Sequence, residues 1–532
     1  MEKVLVANRG EIALRVFRAA RALGLETVAV VAPDDEGSLH ARSAGETVAI
    51  ASYLSSGEHI RAARQTGADA IHPGYGFLAE NGDFAEAVGA AGLTWIGPSP
   101  ATLRAGGDKL AAKRVAAEAG VPTIPEAEEP PLIVKAAAGG GGRGMRIVTT
   151  PDELDGALEA ARREAKAAFG DDRVYLERYL ERPRHVEIQL LADLHGTVVA
   201  LGERECSVQR RHQKVLEESP SPALDDDLRT RMSDAAVRFA RAIGYAGAGT
   251  AEFVLDRGEF YFLELNGRIQ VEHAVTEAVT GIDLVQWQLR IAQGEPLELA
   301  SNSLLQGHAV EVRLYAEDPR TFLPQAGRIE RLRLPATVRV DTGVAEGDEI
   351  GTGYDPLIAK LIAHGADRDE ALDRLAGALA ETRVEGVTTN LPFLRWLVAH
   401  PALRAGDTTT AFLTEHPPLS APSPPPAPAW RRPFRLNLPS PSLRPPPDVD
   451  AAVHALGAAE ESGAVTAPMP GTVIKVNVVA GQRVRAREPL VVLEAMKMET
   501  PLSSPYDATV RAVHVTAGDR VAGGAVLVEL EE

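Results

Sequence analysis

Between Glu264 and Glu272 every second residue carries a group able to bind a ligand: Glu264, Asn266, Arg268, Gln270 and Glu272. Leu265, Ile269 and Val271 interleave with them, so in an extended chain the polar set shares one face. A solvated strand face would explain the alternation but not the order acid, amide, arginine, amide, acid. Fully extended the run would span roughly 26 Å, so a bend is expected, with Gly267 as its place. The preceding run, residues 250–255, joins it through Asp256-Arg257-Gly258. Read as a three-residue loop, that turn places Glu252 diagonally opposite Glu264 on the same face. Two carboxylates and an amide there suit a hard cation, Mg²⁺ or Mn²⁺, bridging nucleotide phosphates, with Glu252, Glu264 and Asn266 as ligands.

A second constellation starts with the apolar strand Leu132-Ile133-Val134-Lys135, runs through Gly139-Gly140-Gly141-Gly142-Arg143-Gly144 and continues in a strand over 145–148. Glycines let backbone N–H groups approach phosphate oxygens, and a strand on each side makes a hinged hairpin lid. A P-loop is excluded, because that needs Gly-Lys-Ser/Thr opening a helix. Alone, such a run is as often a flexible connector. Lys135 shifts the reading toward phosphate, because nine of the 56 basic residues are lysine and the rest arginine. The positions that keep lysine (Lys3, Lys109, Lys113, Lys135, Lys166, Lys214, Lys360, Lys475, Lys497) are candidates for sites that need an ammonium. Two further segments, Arg184-His185-Val186-Glu187-Ile188-Gln189 and Gln209-Arg210-Arg211-His212-Gln213-Lys214, bear histidines. Each histidine alone reads as a hydrogen-bonded structural residue.

The elements that must position these groups fall into blocks. Residues 1–105 alternate short apolar runs (4–7, 27–31, 68–71, 94–96) with helical periodicity (11–23), a doubly wound α/β pattern. From 131 to about 272 paired strands surround the glycine run, an α+β pattern, with the lid over about 131–200 inside a unit spanning 106–305. Residues 306–416 hold strands (308–315, 328–334) and a helix (369–382). Thirteen prolines between Pro417 and Pro447 make 417–464 a stiff spacer, with Trp430-Arg431-Arg432-Pro433-Phe434-Arg435-Leu436-Asn437-Leu438 as a docking strand or an irregular packed segment. After Val465 a repeat appears at an offset of 37 residues: Ala480-Gly481-Gln482-Arg483-Val484 returns as Ala517-Gly518-Asp519-Arg520-Val521, and Leu490-Val491-Val492-Leu493-Glu494 as Leu527-Val528-Glu529-Leu530-Glu531. Two such halves over 465–532 predict a small all-β flattened barrel with quasi-two-fold symmetry, and Glu494-Ala495-Met496-Lys497-Met498-Glu499 is then a hairpin tip.

At 532 residues the chain requires several folding units. A net charge of -18 disfavours a nucleic-acid or membrane-surface partner, and no apolar run reaches the length of a span. With no signal-peptide core before the first strand, and the single cysteine Cys206 fitting a reducing compartment as a structural residue, a cytoplasmic location is expected.

The Ala-Met-Lys-Met tip resembles the biotinyl domains of biotin-dependent enzymes, which implies covalent biotin on Lys497, attached by a biotin protein ligase. A lipoyl domain would share the fold, but its Asp-Lys-Ala motif is absent. Asn8-Arg9-Gly10-Glu11-Ile12-Ala13, His72-Pro73-Gly74-Tyr75-Gly76-Phe77-Leu78, Gly107-Asp108-Lys109, the glycine-rich lid, Arg210-Arg211-His212-Gln213-Lys214 and Arg268-Ile269-Gln270-Val271-Glu272-His273 together resemble biotin carboxylase, an ATP-grasp family, over nearly all of 1–415. The resemblance implies ATP contacts by Lys109, Lys135, Gly140, Gly141, Gly142, Gly144, Glu177, Leu180, His185, His212, Glu252 and Glu264. It implies that Glu272 deprotonates bicarbonate for attack on the γ-phosphate, that Lys214, Arg268, Gln270 and Val271 hold the anion, and that Arg339, with Arg268, stabilises the biotin enolate. The chain departs from the family in a shorter segment between Val121-Pro122-Thr123-Ile124-Pro125 and Lys135, in the region after Ile50, and in glycine at 267 where threonine is common. The layout implies the oligomeric alpha subunit of an acetyl- or propionyl-CoA carboxylase of fatty acid metabolism, with a separate carboxyltransferase (beta) partner. The alternatives are another ATP-grasp ligase bearing a β module, and a carrier whose ligase half is inactive.

Overall fold

The computed structural model describes residues 1–137, 145–210, 213–299, 305–417, 463–495 and 498–531. The expected contributions of Gly140, Gly141, Gly142, Gly144, His212 and Lys497, and of the 430–438 island, lie outside the described residues. Strands β1 (Lys3–Val6), β2 (Glu26–Val31), β3 (Glu46–Ala49), β4 (Ala70–His72) and β5 (Thr94–Trp95) form a parallel sheet in the order β3-β2-β1-β4-β5. That order winds outward both ways from β1, the doubly wound topology expected. Val4, Leu5 and Val6 are fully buried, as befits a parallel strand covered on both faces. The helix Gly10–Ala22 turns Ile12, Ala13, Val16, Phe17 and Ala20 inward at helical spacing. At the carboxyl edge, where ligands bind in such sheets, Asn8 Nδ2 donates to the carbonyls of Pro73 and Tyr75, both at 2.7 Å, and ties the two adjoining loops together.

The lid is a three-stranded sheet, β7-β6-β8, from β6 (Leu132–Ala136), β7 (Arg146–Val148) and β8 (Val174–Arg178). Helix Leu154–Phe169 packs on one face, where Leu132, Val134, Val148 and Ala161 are buried. The separate lid sheet is therefore shorter than the 131–200 expected. The next strand, β9 (Arg184–Ala192), is buried almost throughout and pairs inside the central sheet.

That central sheet joins β9 to β10 (Val198–Arg210), β11 (Gln213–Ser219), β12 (Gly247–Asp256), β13 (Glu259–Asn266) and β14 (His308–Tyr315). Further on come β15 (Gly327–Arg328), β16 (Arg331–Arg333), β17 (Arg339–Thr342), β18 (Glu349–Ile350), β19 (Leu357–Gly365) and β20 (Arg383–Glu385). The order is β13-β12-β9-β10-β11-β14-β19-β17, antiparallel throughout, so it runs unbroken across position 305. The single strand expected over 328–334 is instead β15 and β16, each in its own two-stranded ladder. Helix Arg368–Glu381, capped by the Asp367 side chain accepting from the Glu370 N–H, covers β14 and β19 with Ala371, Leu372, Leu375, Ala378 and Leu379.

The C-terminal module contains β21 (Ala464–Thr466), β22 (Gly471–Val476), β23 (Arg483–Val484), β24 (Pro489–Ala495), β25 (Met498–Ser503), β26 (Ala508–Val513), β27 (Arg520–Val521) and β28 (Val526–Glu531). Its sheets are β21-β28-β26-β23 and β25-β24-β22-β27. The 37-residue offset carries β22, β23 and β24 onto β26, β27 and β28, so the repeat is the symmetry of the sandwich. Val473, Leu490, Leu493, Val510, Leu527 and Val528 are fully buried between the sheets. Among the described residues no helix is long and apolar enough to cross a membrane.

Candidate active site

β12 and β13 are joined by two residues, Arg257 (φ 52°) and Gly258 (φ 84°), both left-handed, the geometry of a type I′ hairpin turn. This corrects the three-residue loop. Asp256 pairs with Glu259, and a bulge between Glu252 and Phe253 brings Glu252 directly opposite Glu264, not diagonal to it. On its other side Glu252 pairs with Glu187 of β9, which pairs with Arg204 of β10. One row of side chains across four strands therefore reads Arg204, Glu187, Glu252, Glu264. Like charges directly opposite one another repel, so cations must lie among them.

Lys214 supplies the central cation. Its Nζ lies 2.5 Å from Glu187, 3.0 Å from Glu252 and 2.6 Å from Glu272. Arg204, wholly buried, donates to Glu187 at 2.6 Å, Gln189 at 2.6 Å, Thr276 at 2.9 Å, Thr250 at 3.1 Å and Gln270 at 2.9 Å. Burial raises the cost of ionising Glu187 and Glu252, yet Lys214 beside both, with Arg204 at Glu187 and His185 at Glu252, holds them below the carboxylate range. Burial disfavours the charged form of His185, but the Glu252 carboxylate 3.1 Å away, with Glu187, holds it up to about 9. Gln209 contacts the other ring nitrogen at 3.0 Å.

β13 ends at Asn266, and the chain bends at Arg268, one residue beyond the Gly267 expected. A Cβ at Gly267 would come within 3.1 Å of a Leu103 methyl, so glycine suits the close approach. Arg268 then reaches back to Asn266 Oδ1 at 2.9 Å and to Glu80 at 3.1 Å. Gln270 and Asn266 donate to the same Glu252 oxygen, at 2.8 and 2.9 Å. Glu272, buried, ends the turn ahead of helix His273–Thr280 and accepts from Arg313 of β14 at 3.0 Å. Burial opposes its charge, but Lys214 and Arg313 push it down to about 2.

A cavity of about 380 Å³ gathers Lys109, Lys135, Glu177, His185, Lys214, Glu252, Glu264, Asn266, Arg268, Gln270, Val271 and Glu272 on its wall. Lys109 opens helix Lys109–Glu118, where the Asp108 carboxylate caps the N–H groups of Leu110 and Ala111, and its Nζ is 3.1 Å from Glu264. Lys135 projects from the lid to Glu177 at 2.6 Å, and Lys113 pairs with the same carboxylate. Leu180 lies just beyond β8, half-buried and off this wall. A second cavity, about 270 Å³, shares Arg268, Val271, Arg313, Tyr315 and Asp355 with the first and extends to Arg9, Tyr75, Phe77 and Tyr354. Arg339 joins neither wall: Glu277 at 2.7 Å and Asp341 at 2.8 Å hold it beside a separate depression with Arg15, Arg18 and Asp283. Asp341 follows two residues later on the same strand face and pairs with the guanidinium. Cys206 is buried, its thiol pushed up by burial, consistent with a structural residue. The sequence reading missed Arg204 and Arg313, and the wall residues Met145, Tyr175 and Leu263. Their pairing depends on which strands become neighbours.

The matching family descriptions run along the chain as "Biotin carboxylase, N-terminal domain" over 1–103, "Carbamoyl-phosphate synthase L chain, ATP binding domain" over 108–300, "Biotin carboxylase C-terminal domain" over 311–415 and "Biotin-requiring enzyme" over 463–530. A biotin-dependent acyl-coenzyme A carboxylase alpha3 subunit of Mycobacterium leprae is 43% identical over 588 aligned positions, covering 99% of this chain and 98% of that one. The chain belongs to the biotin carboxylase family. A mitochondrial methylcrotonoyl-CoA carboxylase subunit alpha of Oryza sativa is 48% identical over 78% of this chain, and the match spans 60% of that relative's length. The biotin carboxylase domain of the Hydrogenobacter thermophilus 2-oxoglutarate carboxylase, solved with MgADP, ADP and bicarbonate, superposes with a TM-score of 0.76 at 43% identity over 78% of this chain and 98% of its own. The biotin carboxylase fold thus accounts for the doubly wound domain, the ATP-grasp lid and the central sheet, and the separate all-β module is the part matched as a biotin-requiring enzyme.

Proposed function

We propose that this chain uses ATP and bicarbonate to carboxylate a biotin carried on its own Lys497, and passes the carboxyl group to a separate carboxyltransferase that acts on an acyl-CoA. The observation that carries the reading is Lys214 bridging Glu187, Glu252 and Glu272 in a cavity that also presents Lys109 and Lys135. A phosphate chain between those lysines would bring its γ-phosphorus toward Glu272. Bicarbonate is a poor electrophile at carbon, so an activating phosphorylation is chemically sensible. Glu272 accepts the bicarbonate proton, the freed oxygen attacks the γ-phosphorus, and the bond to ADP breaks, giving carboxyphosphate. Glu272 stays ionised throughout the neutral range, so it is ready as an acceptor, and Lys214 and Arg268 beside it would acidify the bound bicarbonate as well.

Glu252 and Glu264, opposite each other, and Asn266, next on the face, offer hard oxygen donors beside Lys109, a set that fits Mg²⁺. Such an ion would neutralise charge between phosphate oxygens. Biotin, when attached, supplies a ureido nitrogen that accepts the carboxyl group. Arg268 and Arg313 both stand on the two cavity walls; Arg313 is held by Glu217 and Glu272, which leaves Arg268 to receive developing negative charge there, while Arg339 is engaged elsewhere. Attachment by biotin protein ligase, oligomeric assembly and an acetyl- or propionyl-CoA acceptor belong to the same reading. The first rests on the family motif at Lys497, the others on likeness to acyl-CoA carboxylase alpha subunits. The test is bicarbonate-dependent ATP hydrolysis by the full chain. Glu272→Gln should retain ATP binding and lose turnover, whereas near-normal turnover would assign the base elsewhere.

A further inference from the structure

Lys360 is one of the few lysines in an arginine-rich chain, and the reaction above leaves it without a role. It lies in β19, and its side chain is fully buried. Its Nζ donates to the Val271 carbonyl at 2.6 Å, and the carboxylates of Glu11 and Asp341 stand 3.5 and 3.9 Å away. The sheet explains this reach. Arg313, Lys360 and Asp341 are direct cross-strand partners on β14, β19 and β17. Two cations side by side are ordinarily unfavourable, but here each grips a different group of the same turn: Arg313 the Glu272 carboxylate, Lys360 the carbonyl of the residue before it. Burial works against the charge on Lys360, and Glu11, Glu311 and Asp341 restore it above its ordinary value. Glu11 is itself anchored by the Tyr75 hydroxyl, on the wall of the second cavity. An apolar side chain of the same length would fill this space without the cost of a buried ammonium, so the charge points to the turn it holds.

We infer that Lys360 is a positioning residue of the proposed ligase reaction: by holding the Val271 carbonyl it fixes Gln270-Val271-Glu272 in the conformation that receives bicarbonate. The inference rests on the reading of this turn as the bicarbonate site. Its main effect is on bicarbonate, because the nucleotide lysines, Lys109 and Lys135, lie on other elements.

The experiment measures bicarbonate-dependent ATP hydrolysis by the full-length biotinylated chain, with both KM values and kcat. Lys360→Met is expected to raise the bicarbonate KM about tenfold or more, the loss of one charge-assisted hydrogen bond, and to move the ATP KM less than about twofold. Lys360→Arg, which keeps charge and donors, should recover most of that loss. Should Lys360→Met fail to fold, Lys360→Gln, neutral but still able to donate, carries the same expectation. A folded neutral variant with bicarbonate KM and kcat within about twofold of wild type, or with both KM values rising together, would overturn the inference. Glu272→Gln, assayed in parallel, separates the two claims. If it retains turnover, the reading of the site fails; if it is inactive while the neutral Lys360 variants behave normally, only the role of Lys360 falls.

Discussion

The hairpin of β12 and β13 and the hairpin of β24 and β25, which the proposed reaction would use at its opposite ends, are built oppositely. The first turns Glu252 and Asn266 inward, where Lys214, His185 and Arg268 neutralise or orient them. The second is paired as far as Ala495 and Met498, with the expected biotin attachment residue between those ends. Among the described residues of the carrier module, Ser504 is the only buried polar one, while the ligase buries Arg204, Glu187, Lys360, Glu311 and many others. Catalysis on anions needs opposed charges fixed in a low-dielectric interior, where their interactions are strong and their geometry is held. Carriage needs only a stable scaffold with one nucleophile on its surface.

The comparison can be broken most severely at Arg204. Arg204→Met leaves Glu187 with one cation fewer and strips donors from Gln189, Gln270 and two threonines, so it should destabilise the ligase block by about 4 kcal/mol. Denaturant titration followed by limited proteolysis would show this with the carrier's own unfolding unmoved. A loss below about 1 kcal/mol would mean that the buried charges are not integral to the fold. In the carrier the sensitive positions are apolar. Leu493→Ala should cost that module about 3 kcal/mol through a cavity, with ATP binding unchanged.

Glu217 sharpens the contrast through pH. Burial, reinforced by nearby Glu272 and opposed by Arg313, holds its carboxyl at about 7, so folding favours its protonated form. A raised pKa contributes stability that is fully present below the ordinary carboxylate value and is lost as pH rises through 7. Glu217→Gln should therefore flatten the fall in ligase stability between about pH 5 and pH 8, gaining about 1 kcal/mol or more over wild type at the upper end. An unchanged pH slope in thermal melts would show that Glu217 is ionised in the fold. The smallest effect belongs to Lys497→Arg, which should abolish biotinylation and shift carrier stability by less than about 0.5 kcal/mol.

Much of this arrangement was legible in the sequence, for identifiable reasons. The alternation from Glu264 to Glu272 marked the right residues, but the strand period of two holds only for Glu264 and Asn266, and Arg268, Gln270 and Glu272 reach the same wall along the bend and turn that follow; the 37-residue repeat marked the carrier because its halves are related by symmetry. The bulge after Glu252 was not legible, since register is settled by the partner strand. Nor were Arg204, which stands between Glu203 and Glu205, and Arg313, whose alternation with apolar neighbours looks in sequence like a solvated strand face, while Lys360 was marked by its residue type and not by its place. Only the eight-stranded sheet, which brings β10, β14 and β19 around one turn, shows that they are interior. Arg339 was placed by its surroundings in sequence, but its capture by Asp341 and Glu277 is a matter of distance.

The most direct test of the account follows one carboxyl group through both regions. Wild-type chain, biotinylated and incubated with ATP, Mg²⁺ and radiolabelled bicarbonate, should retain acid-labile label, and blocking the biotin with avidin should abolish it. Lys497→Arg and Glu272→Gln should retain none, the first for want of biotin and the second despite carrying it. Label that persists in Lys497→Arg, or that forms in Glu272→Gln at the wild-type rate, would contradict the account.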